Sequence, residues 1–250
     1  MNTTKVGNLI LGDGIPKICV SLVSSTQEEL EVEASAIKQL PVDIVEWRAD
    51  KFEGVEQLSR VCETLASLKS ILKDIPLLFT FRTINEGGDR PLDIDKYENL
   101  NKSVAWTNLV DAIDVEAFIG EATAASIIED AHKSGVKVIC SNHDFNKTPA
   151  KEEIITRLVK MQAMKADVTK IAVMPKASAD VATLLEASIQ MKEQYADRPF
   201  VTISMGKEGY ISRFWGHLSG SAMTFGVGKT ASAPGQPKAA DLKLVLDLFK

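Results

Sequence analysis

The sequence predicts an α/β protein with a single (β/α)8 barrel of the TIM type, in which eight parallel strands alternate with helices. Three observations predict this fold. Eight apolar runs rich in β-branched residues recur about thirty residues apart, and amphipathic helical patterns lie between most of them. No long linker or low-complexity tract divides the chain, so residues 1–250 are expected to form one domain. Parallel strands need helical crossovers, and eight of them close a sheet without an edge.

A short hairpin is expected before the first barrel strand. The stretch VGNLILGDGIPK, residues 6–17, contains the turn-like sequence LGDG at 11–14. Because this stretch precedes the barrel, we expect it to close the bottom of the barrel.

The eight predicted strands follow in order. Each is a run of β-branched and apolar residues of the kind that forms a buried parallel strand. Their ranges are 17–23, 43–50, 76–83, 111–117, 136–145, 168–175, 199–206 and 221–228.

Helix signals lie between these strands. The sequence SSTQEEL, residues 24–30, places hydroxyl residues ahead of acidic ones, as at a helix start. Gly135 follows a helical pattern and precedes a strand, which is the usual position of a C-terminal glycine. The clearest apolar stripe contains Val55, Leu58, Val61, Cys62, Leu65, Leu68 and Leu72.

An open doubly wound sheet is the alternative fold. That fold would carry a G-x-G-x-x-G dinucleotide fingerprint after its first strand, and the sequence VSLVSSTQEEL at 20–30 has none. The string GVGKT at 226–230 invites comparison with a phosphate-binding loop, but the required first glycine falls at Met223. The barrel is therefore favoured.

Composition restricts the possible partners and compartments. A net charge of −5 and a pI near 5.4 give no general attraction to nucleic acid or to anionic membranes. The sequence contains no membrane-spanning apolar run and no signal pattern at its N-terminus, so a cytoplasmic location is expected. The odd number of cysteines, with no C-x-x-C spacing, predicts reduced packing residues: Cys19, Cys62 and Cys140.

Polar residues gather where the predicted strands end, and active sites of this fold lie at the carboxyl ends of the strands. Taken singly, each is an ordinary surface or loop residue, so only the pattern indicates a site. In chain order they are Glu46, Arg48, Asp50, Arg82, Thr83, Glu86, Asn142, His143, Asp144, Lys170, Arg213, Ser232 and Gln236.

Lys170 is the exception to the surface interpretation, because it lies inside the apolar run ADVTKIAVMP. A buried ammonium is costly unless it is paired or loses its proton. A lysine in such a strand is therefore either a structural charge or a reagent. We favour the reagent, since desolvation leaves a neutral amine able to attack a carbonyl.

His143 is the best candidate for a general acid and base, because it ends the strand that precedes the strand of Lys170. The other two histidines, His132 and His217, are interpreted as ordinary hydrogen-bonding residues. No histidine pair has metal-ligand spacing and the cysteines are scattered, so no metal site is expected.

Six motifs, spread over nearly the whole chain, resemble the type I 3-dehydroquinate dehydratases. They are EWRAD at 46–50, TFRT at 80–83 followed by EGG, SNHDF at 141–145, TKIAVMP at 169–175, ISRFWG at 211–216 and SAPGQ at 232–236. The resemblance implies a Schiff-base hydro-lyase of the shikimate pathway. Such an enzyme eliminates water from 3-dehydroquinate to give 3-dehydroshikimate, without metal or cofactor, in a barrel that is usually a homodimer.

The resemblance also implies a role for each candidate residue. Lys170 would attack the ketone, His143 would carry protons and Glu86 would orient His143. Arg213 would bind the substrate carboxylate, a pairing that guanidinium geometry favours. The remaining binding residues would be Ser21, Glu46, Arg48, Arg82, Ser232 and Gln236. The segment 226–235 is long and rich in small residues, as expected of a lid.

Two alternative functions remain open at this point. A class I aldolase would share the barrel and the lysine, but it would need a phosphate cradle in the loops after the seventh and eighth strands. A metabolite-sensing barrel would keep the pocket without the chemistry, although the presence of both Lys170 and His143 argues against this.

Overall fold

The computed structural model describes residues 2–250 and contains the predicted barrel. A hairpin of two strands, β1 (Thr4–Val6) and β2 (Leu9–Leu11), precedes eight parallel strands. The barrel strands are β3 (Lys17–Leu22), β4 (Ile44–Arg48), β5 (Leu77–Thr80), β6 (Ala112–Glu116), β7 (Lys137–Asp144), β8 (Val168–Val173), β9 (Phe200–Ser204) and β10 (Met223–Gly226).

The sheet is nearly closed. Its strand order is β10-β3-β4-β5-β6-β7-β8-β9, and all neighbouring pairs are parallel. The last gap is spanned by one bridge between Phe200 and Ser221, where the N–H of Ala222 donates to the Phe200 carbonyl at 2.8 Å. The predicted fold is thus confirmed, and each observed barrel strand lies within the range predicted for it.

A helix follows every barrel strand. Thr26 caps the first helix by accepting a hydrogen bond from the Glu29 N–H, and Gly135 lies beyond the fourth helix with a φ of +78°. The helices are α1 (Gln27–Ile37), α2 (Leu58–Leu72), α3 (Ile94–Trp106), α4 (Glu121–Lys133), α5 (Lys151–Ala163), α6 (Ser178–Gln190), α7 (Gly216–Ser219) and α8 (Ala239–Leu246).

The predicted stripe before and along α2 differs at its start. Val55 is buried but lies ahead of the helix, and Leu58, the first helical residue, is largely exposed. The later members Val61, Leu65 and Leu68 face the core as expected. Helical periodicity cannot mark where the helix begins when an apolar residue of the preceding loop also packs inward.

The larger part of the core lies between the strands and the helices. Trp47 on β4 is fully buried there, with its ring edge-on to Phe52 at 5.5 Å and Phe79 at 5.6 Å between centroids. Cys19 and Cys140 are buried free thiols, as predicted, and Cys62 is a half-buried one. None of the helices within residues 2–250 is long and apolar enough to cross a membrane.

The side chains inside the barrel change from apolar to polar along the strands. The first inward residue of every strand is apolar or a thiol: Cys19, Ile44, Leu78, Ala112, Ile139, Val168, Val201 and Met223. Two residues further on, six strands present a polar side chain: Ser21, Glu46, Thr80, Asp114, Ser141 and Lys170. Since side chains alternate along a strand, this second layer places polar groups above a dry floor.

The N-terminal hairpin closes the bottom of the barrel, as predicted. Val6 and Leu11 are fully buried and pack against the first inward layer. The Thr4 hydroxyl donates to the carbonyl of Asp167, the residue before β8, at 3.0 Å. The turn itself lies at Gly7 and Asn8, not in the sequence LGDG, which begins at the last residue of β2. Gly7 has a φ of +59°, which glycine adopts at little cost.

Replacing Leu11 with alanine should lower the free energy of unfolding by about 2–5 kcal/mol, because a buried leucine would leave a cavity in the floor of the barrel. Ile10→Ala is the matched control, since Ile10 on the same strand is 44% exposed and should lose far less. Urea denaturation followed by circular dichroism measures both. Equal losses would show that the hairpin does not plug the barrel.

Candidate active site

Nine of the ten predicted site residues line one cavity at the carboxyl ends of the strands. These nine are Glu46, Arg48, Arg82, Glu86, His143, Lys170, Arg213, Ser232 and Gln236. The tenth, Ser21, lies just beside the lining, where its hydroxyl donates to Glu46 at 2.5 Å and accepts from Ser232 at 2.9 Å.

Lys170 lies in the polar layer of β8, with only 5% of its side chain exposed. Its Nζ is 4.6 Å from the centre of the Phe225 ring and 3.4 Å from Oδ2 of Asp114. The strand therefore presents a single amine inside the cavity, between an aromatic face and a carboxylate.

His143 is one layer above Lys170 on the neighbouring strand, because β7 pairs Ser141 with Lys170 and His143 with Ala172. Its Nδ1 is 2.9 Å from Oε2 of Glu86, which also accepts the His143 backbone N–H at 2.9 Å. Within residues 2–250, Nε2 has no hydrogen-bond partner. Glu86 thus fixes the ring, and Nε2 is available to a ligand.

Burial sets the charges of this pair. Burial, reinforced by the positive charges of Arg82, Lys170 and Arg48, lowers the pKa of His143 well below its usual value. Burial also raises the pKa of Glu86 to about 7, although Arg82 opposes this. The imidazole is therefore neutral near pH 7 and can accept a proton at Nε2.

Arg82 connects the acidic groups of the site. Its guanidinium donates to Asp114 at 2.6 Å and to Glu116 at 3.1 Å, and it lies 3.6 Å from Glu86. Burial disfavours this charge, but the three carboxylates outweigh it and hold the pKa of Arg82 well above its ordinary value. The Arg82 side chain is therefore occupied by protein carboxylates.

Arg213 is the opposite case. It is 2% exposed, and no carboxylate of residues 2–250 forms a salt bridge with it. Its guanidinium donates only to the carbonyls of Phe225 at 3.4 Å and Pro234 at 3.0 Å, and its Nε has no partner in this part of the chain. Burial lowers the pKa of Arg213 to about 10. A buried cation without an anion favours an anionic ligand.

The segment after β10 lies over the cavity. Gln236 holds Ser232 by two hydrogen bonds of 2.9 Å, one to its N–H and one to its hydroxyl. Arg48, which forms a bidentate pair with Asp50 at 2.8 Å, also donates to the Ser232 carbonyl at 3.3 Å. Two arginines of the cavity therefore bind backbone carbonyls of the predicted lid.

Asp114 and Glu116 are site residues that the sequence analysis missed. Both lie in the fourth predicted strand, whose strand end contributed no candidate. The signal was present, because two acids two positions apart in the run DAIDVEA face the same side of a strand. The reasoning applied to the buried charge of Lys170 would have identified them.

The fold and this cavity together are typical of a barrel enzyme for a small anionic molecule with a carbonyl group. A buried amine, a neutral imidazole and an unpaired guanidinium meet at the end of the barrel where this fold carries its active sites.

The chain belongs to the type I 3-dehydroquinase family, whose model matches residues 18–250. It is 51% identical over 248 residues to the 3-dehydroquinate dehydratase of Clostridium novyi, which covers 99% of this chain and 98% of that protein. It is 49% identical over 249 residues to that of Salmonella typhimurium, with 100% and 99% covered. The predicted family is therefore confirmed.

Solved structures agree with this family assignment. A crystal structure of the type I 3-dehydroquinate dehydratase from Clostridium difficile, with covalently modified comenic acid, superposes with a TM-score of 0.96 at 49% identity and covers 99% of this chain and 97% of that one. The 3-dehydroquinate dehydratase from Enterococcus faecalis gives a TM-score of 0.92 at 41% identity, with 99% of both chains covered.

Glu86→Gln should change how stability depends on pH. Because the folded protein raises the pKa of Glu86 from about 4.5 to about 7, the folded state binds this proton more tightly than the unfolded chain does. In the parent, the Glu86 proton contributes fully to the free energy of unfolding below about pH 4.5. This contribution is lost as the pH rises to about 7, by up to roughly 3 kcal/mol. The variant should lack this loss.

Urea denaturation of parent and variant at several pH values measures the difference. Glu56→Gln is the control, because Glu56 lies at the surface and Lys96 lowers its pKa, which gives a small effect of opposite sign. A parent and a Glu86→Gln variant with parallel pH profiles would contradict the raised pKa.

Proposed function

We propose that Lys170 is the nucleophile with which this chain converts 3-dehydroquinate into 3-dehydroshikimate in the shikimate pathway, through a Schiff base. The family supports the reaction, since Schiff-base chemistry is characteristic of its type I members. The observation that carries the role of Lys170 is its placement. Among residues 2–250, it is the only lysine that lines the cavity shared with His143 and Arg213.

The amine makes the elimination feasible. Its attack on the ketone forms a C–N bond, and loss of the carbonyl oxygen as water leaves an iminium ion. The iminium accepts the electron pair released when the adjacent C–H proton is removed, which forms an enamine. The enamine then expels the β-hydroxyl group, which leaves as water after protonation. Hydrolysis of the new imine returns the lysine and releases the product.

His143 moves the protons in these steps. Its neutral imidazole has Nε2 free while Nδ1–H donates to Glu86, so one nitrogen is oriented and the other can act as base and then as acid. Glu86 acts through His143 by fixing the ring, as its contacts to both the backbone and the side chain of His143 indicate.

Arg213 binds the substrate carboxylate. The side chain is buried, it lacks an acidic partner within residues 2–250, and its Nε is unsatisfied there, so a carboxylate would supply the missing acceptor. The other members of the predicted shell contact the substrate hydroxyls in this proposal: Ser21, Glu46, Arg48, Arg82, Ser232 and Gln236. Of these residues, Arg82 has the fewest hydrogen-bond donors left for a substrate, because protein carboxylates already occupy its terminal nitrogens.

Entry of the substrate requires the segment 226–235 to move. The cavity offers about 50 Å³, whereas ligand pockets commonly offer roughly 300–1,000 Å³. The hydrogen bond from Arg213 to the Pro234 carbonyl would give way to the substrate carboxylate, so binding and lid movement share one side chain.

The remaining expectations rest on composition and on the family. We propose that residues 1–250 form one catalytic domain, and that the chain is a cytoplasmic homodimer that binds neither nucleic acid nor membranes and needs no metal or cofactor. The aldolase alternative is not favoured, because the loops after β9 and β10 contribute Arg213, Ser232 and Gln236, which suit a carboxylate and hydroxyls better than a phosphate.

Borohydride added with 3-dehydroquinate should leave a stable adduct on Lys170, because it reduces the C=N bond to an amine that cannot be hydrolysed. Peptide mapping by mass spectrometry locates the adduct. Lys137→Ala is the matched control, since Lys137 at the opposite end of the barrel pairs with Asp167 at 2.9 Å and should trap like the parent. An adduct on another lysine would remove Lys170 from this role.

Two variants separate the nucleophile from the proton carrier. Lys170→Ala should form no adduct, whereas His143→Ala should still form some imine and stall after it. Acid–base assistance is worth about 10²–10⁴-fold per step, and His143 serves several steps. The intact mass of His143→Ala with substrate should therefore show an imine that the parent clears. Turnover at the parental rate in either variant would contradict the assignment.

Arg213→Lys should weaken substrate binding by about 1.5–3 kcal/mol, since the charge remains but the bidentate fork is lost. Calorimetric titration in a Lys170→Ala background measures binding without turnover. Arg198→Lys serves as the control, because Arg198 lies before β9 at the other end of the barrel and donates to the Ala166 carbonyl. If Arg213→Lys binds like its parent, the carboxylate lies at Arg48 or Arg82 instead.

A further inference from the structure

Asp114 is a fully buried acid to which the roles above assign no part. Its Oδ1 accepts hydrogen bonds from Arg82 and from the Ser141 hydroxyl, both at 2.6 Å. Its Oδ2 faces Lys170, with 3.4 Å between Oδ2 and Nζ. Arg82, two residues after β5, and Ser141 on β7 therefore hold one oxygen in place, and the other oxygen is directed at the nucleophile on β8.

The charges around Asp114 leave one negative charge for Lys170. Arg82 forms salt bridges with Asp114, Glu116 and Glu86, so one guanidinium cannot balance all of these acids. Burial raises the pKa of Asp114, but Arg82, Lys170 and the Ser141 hydrogen bond outweigh this effect and keep the pKa below its ordinary value. Other titratable groups facing this part of the interior are Cys19, Glu46, Glu86, Tyr97, Cys140 and His143.

Glu116 differs from Asp114 in the groups that it contacts. It accepts hydrogen bonds from the N–H and the hydroxyl of Thr83, at 2.7 and 2.8 Å, as well as from Arg82. It forms no salt bridge with Lys170. Of the two acids that accept hydrogen bonds from Arg82, Asp114 is the one in contact with the Lys170 amine.

We propose that Asp114 is the counter-ion of the Lys170 nitrogen in both its ammonium and its iminium forms, an inference that rests on the proposed function of Lys170. The reaction conserves charge at nitrogen. Ammonium and ketone give iminium and water: a C–N bond forms, the carbonyl oxygen leaves with two N–H protons, and the positive charge stays on nitrogen. A carboxylate fixed by Arg82 and Ser141 thus stabilises both states without moving.

This role revises the expectation that burial leaves Lys170 as a neutral amine. Asp114 disfavours the neutral amine and the neutral carbinolamine relative to the two cations. The amine then loses its proton only for the attack itself, and His143 is the base placed to accept it.

The pH dependence of covalent trapping tests the proposal. At a fixed, subsaturating concentration of 3-dehydroquinate, the fraction of chains trapped by cyanoborohydride should be nearly constant in the parent from about pH 6 to about pH 9, because no net proton is taken up. In Asp114→Asn the Lys170 ammonium loses its counter-ion, so wherever the resting amine is neutral, iminium formation consumes a proton. The trapped fraction should then fall by up to about tenfold per pH unit.

Glu116→Gln is the matched control, because it removes the same charge from Arg82 without touching Lys170. It should keep the parental profile. An equal change in Glu116→Gln, or a parental profile in Asp114→Asn, would overturn the proposal. If Asp114→Asn fails to fold, the pH profile of the parent alone tests the proposal. A trapped fraction that falls about tenfold per pH unit in the parent would contradict a fixed counter-ion.

A second measurement needs no substrate. Cyanate carbamoylates only the neutral amine, so Lys170 should react on the order of tenfold faster in Asp114→Asn than in the parent near pH 7, and at the parental rate in Glu116→Gln. Peptide mapping measures the extent of carbamoylation at each lysine. If cyanate shows the shift but no variant traps 3-dehydroquinate on Lys170, the proposed function fails while the ion pair stands. If cyanate carbamoylates Lys170 in Asp114→Asn at the parental rate, the proposed ion pair itself is wrong.

Discussion

The buried charge of Arg82 is the constraint on which the rest of the interior depends. A guanidinium that is 3% exposed must be paired, and Arg82 has three carboxylate partners. Asp114 and Glu116 lie on β6, and Glu86 follows β5. Because Glu86 also holds His143, the position of the imidazole depends on the same charge balance as the packing of neighbouring strands.

The apolar floor explains why such a charge cluster is tolerated. The hairpin and the first inward layer exclude water from below, and the outer core between strands and helices fixes the strands on which the charges stand. The polar layer can then be reached only from the carboxyl ends. Electrostatic interactions are stronger in such a site than in water, which favours chemistry that passes through ions.

The sequence could predict what depends on local pattern. Strand runs, helical stripes and the rule that this fold places its site at the carboxyl ends of the strands led to the barrel and to nine of the ten predicted site residues, and the family resemblance added Ser21. Partners distant in sequence could not be predicted in this way. Arg48 reaches the Ser232 carbonyl across 184 positions, and Arg82 reaches Asp114 across 32. The hairpin turn was misplaced because both GN and LGDG suit a turn, and only packing of Val6 and Leu11 decides between them.

The segment 226–235 above the cavity is held both through its main chain and through the Ser232 hydroxyl. Arg48 and Arg213 bind the carbonyls of Ser232 and Pro234, and every amino acid supplies a carbonyl. The Pro234 anchor therefore does not depend on its side chain, whereas Ser232 is also held through its hydroxyl, which forms hydrogen bonds with Ser21 and Gln236. Gly235 is fixed by its backbone instead, because its φ is +72° and an added Cβ would lie 2.1 Å from the Gly206 carbonyl oxygen. Among natural variants of this loop, Ser232 and Gly235 should thus stay unchanged for two different physical reasons.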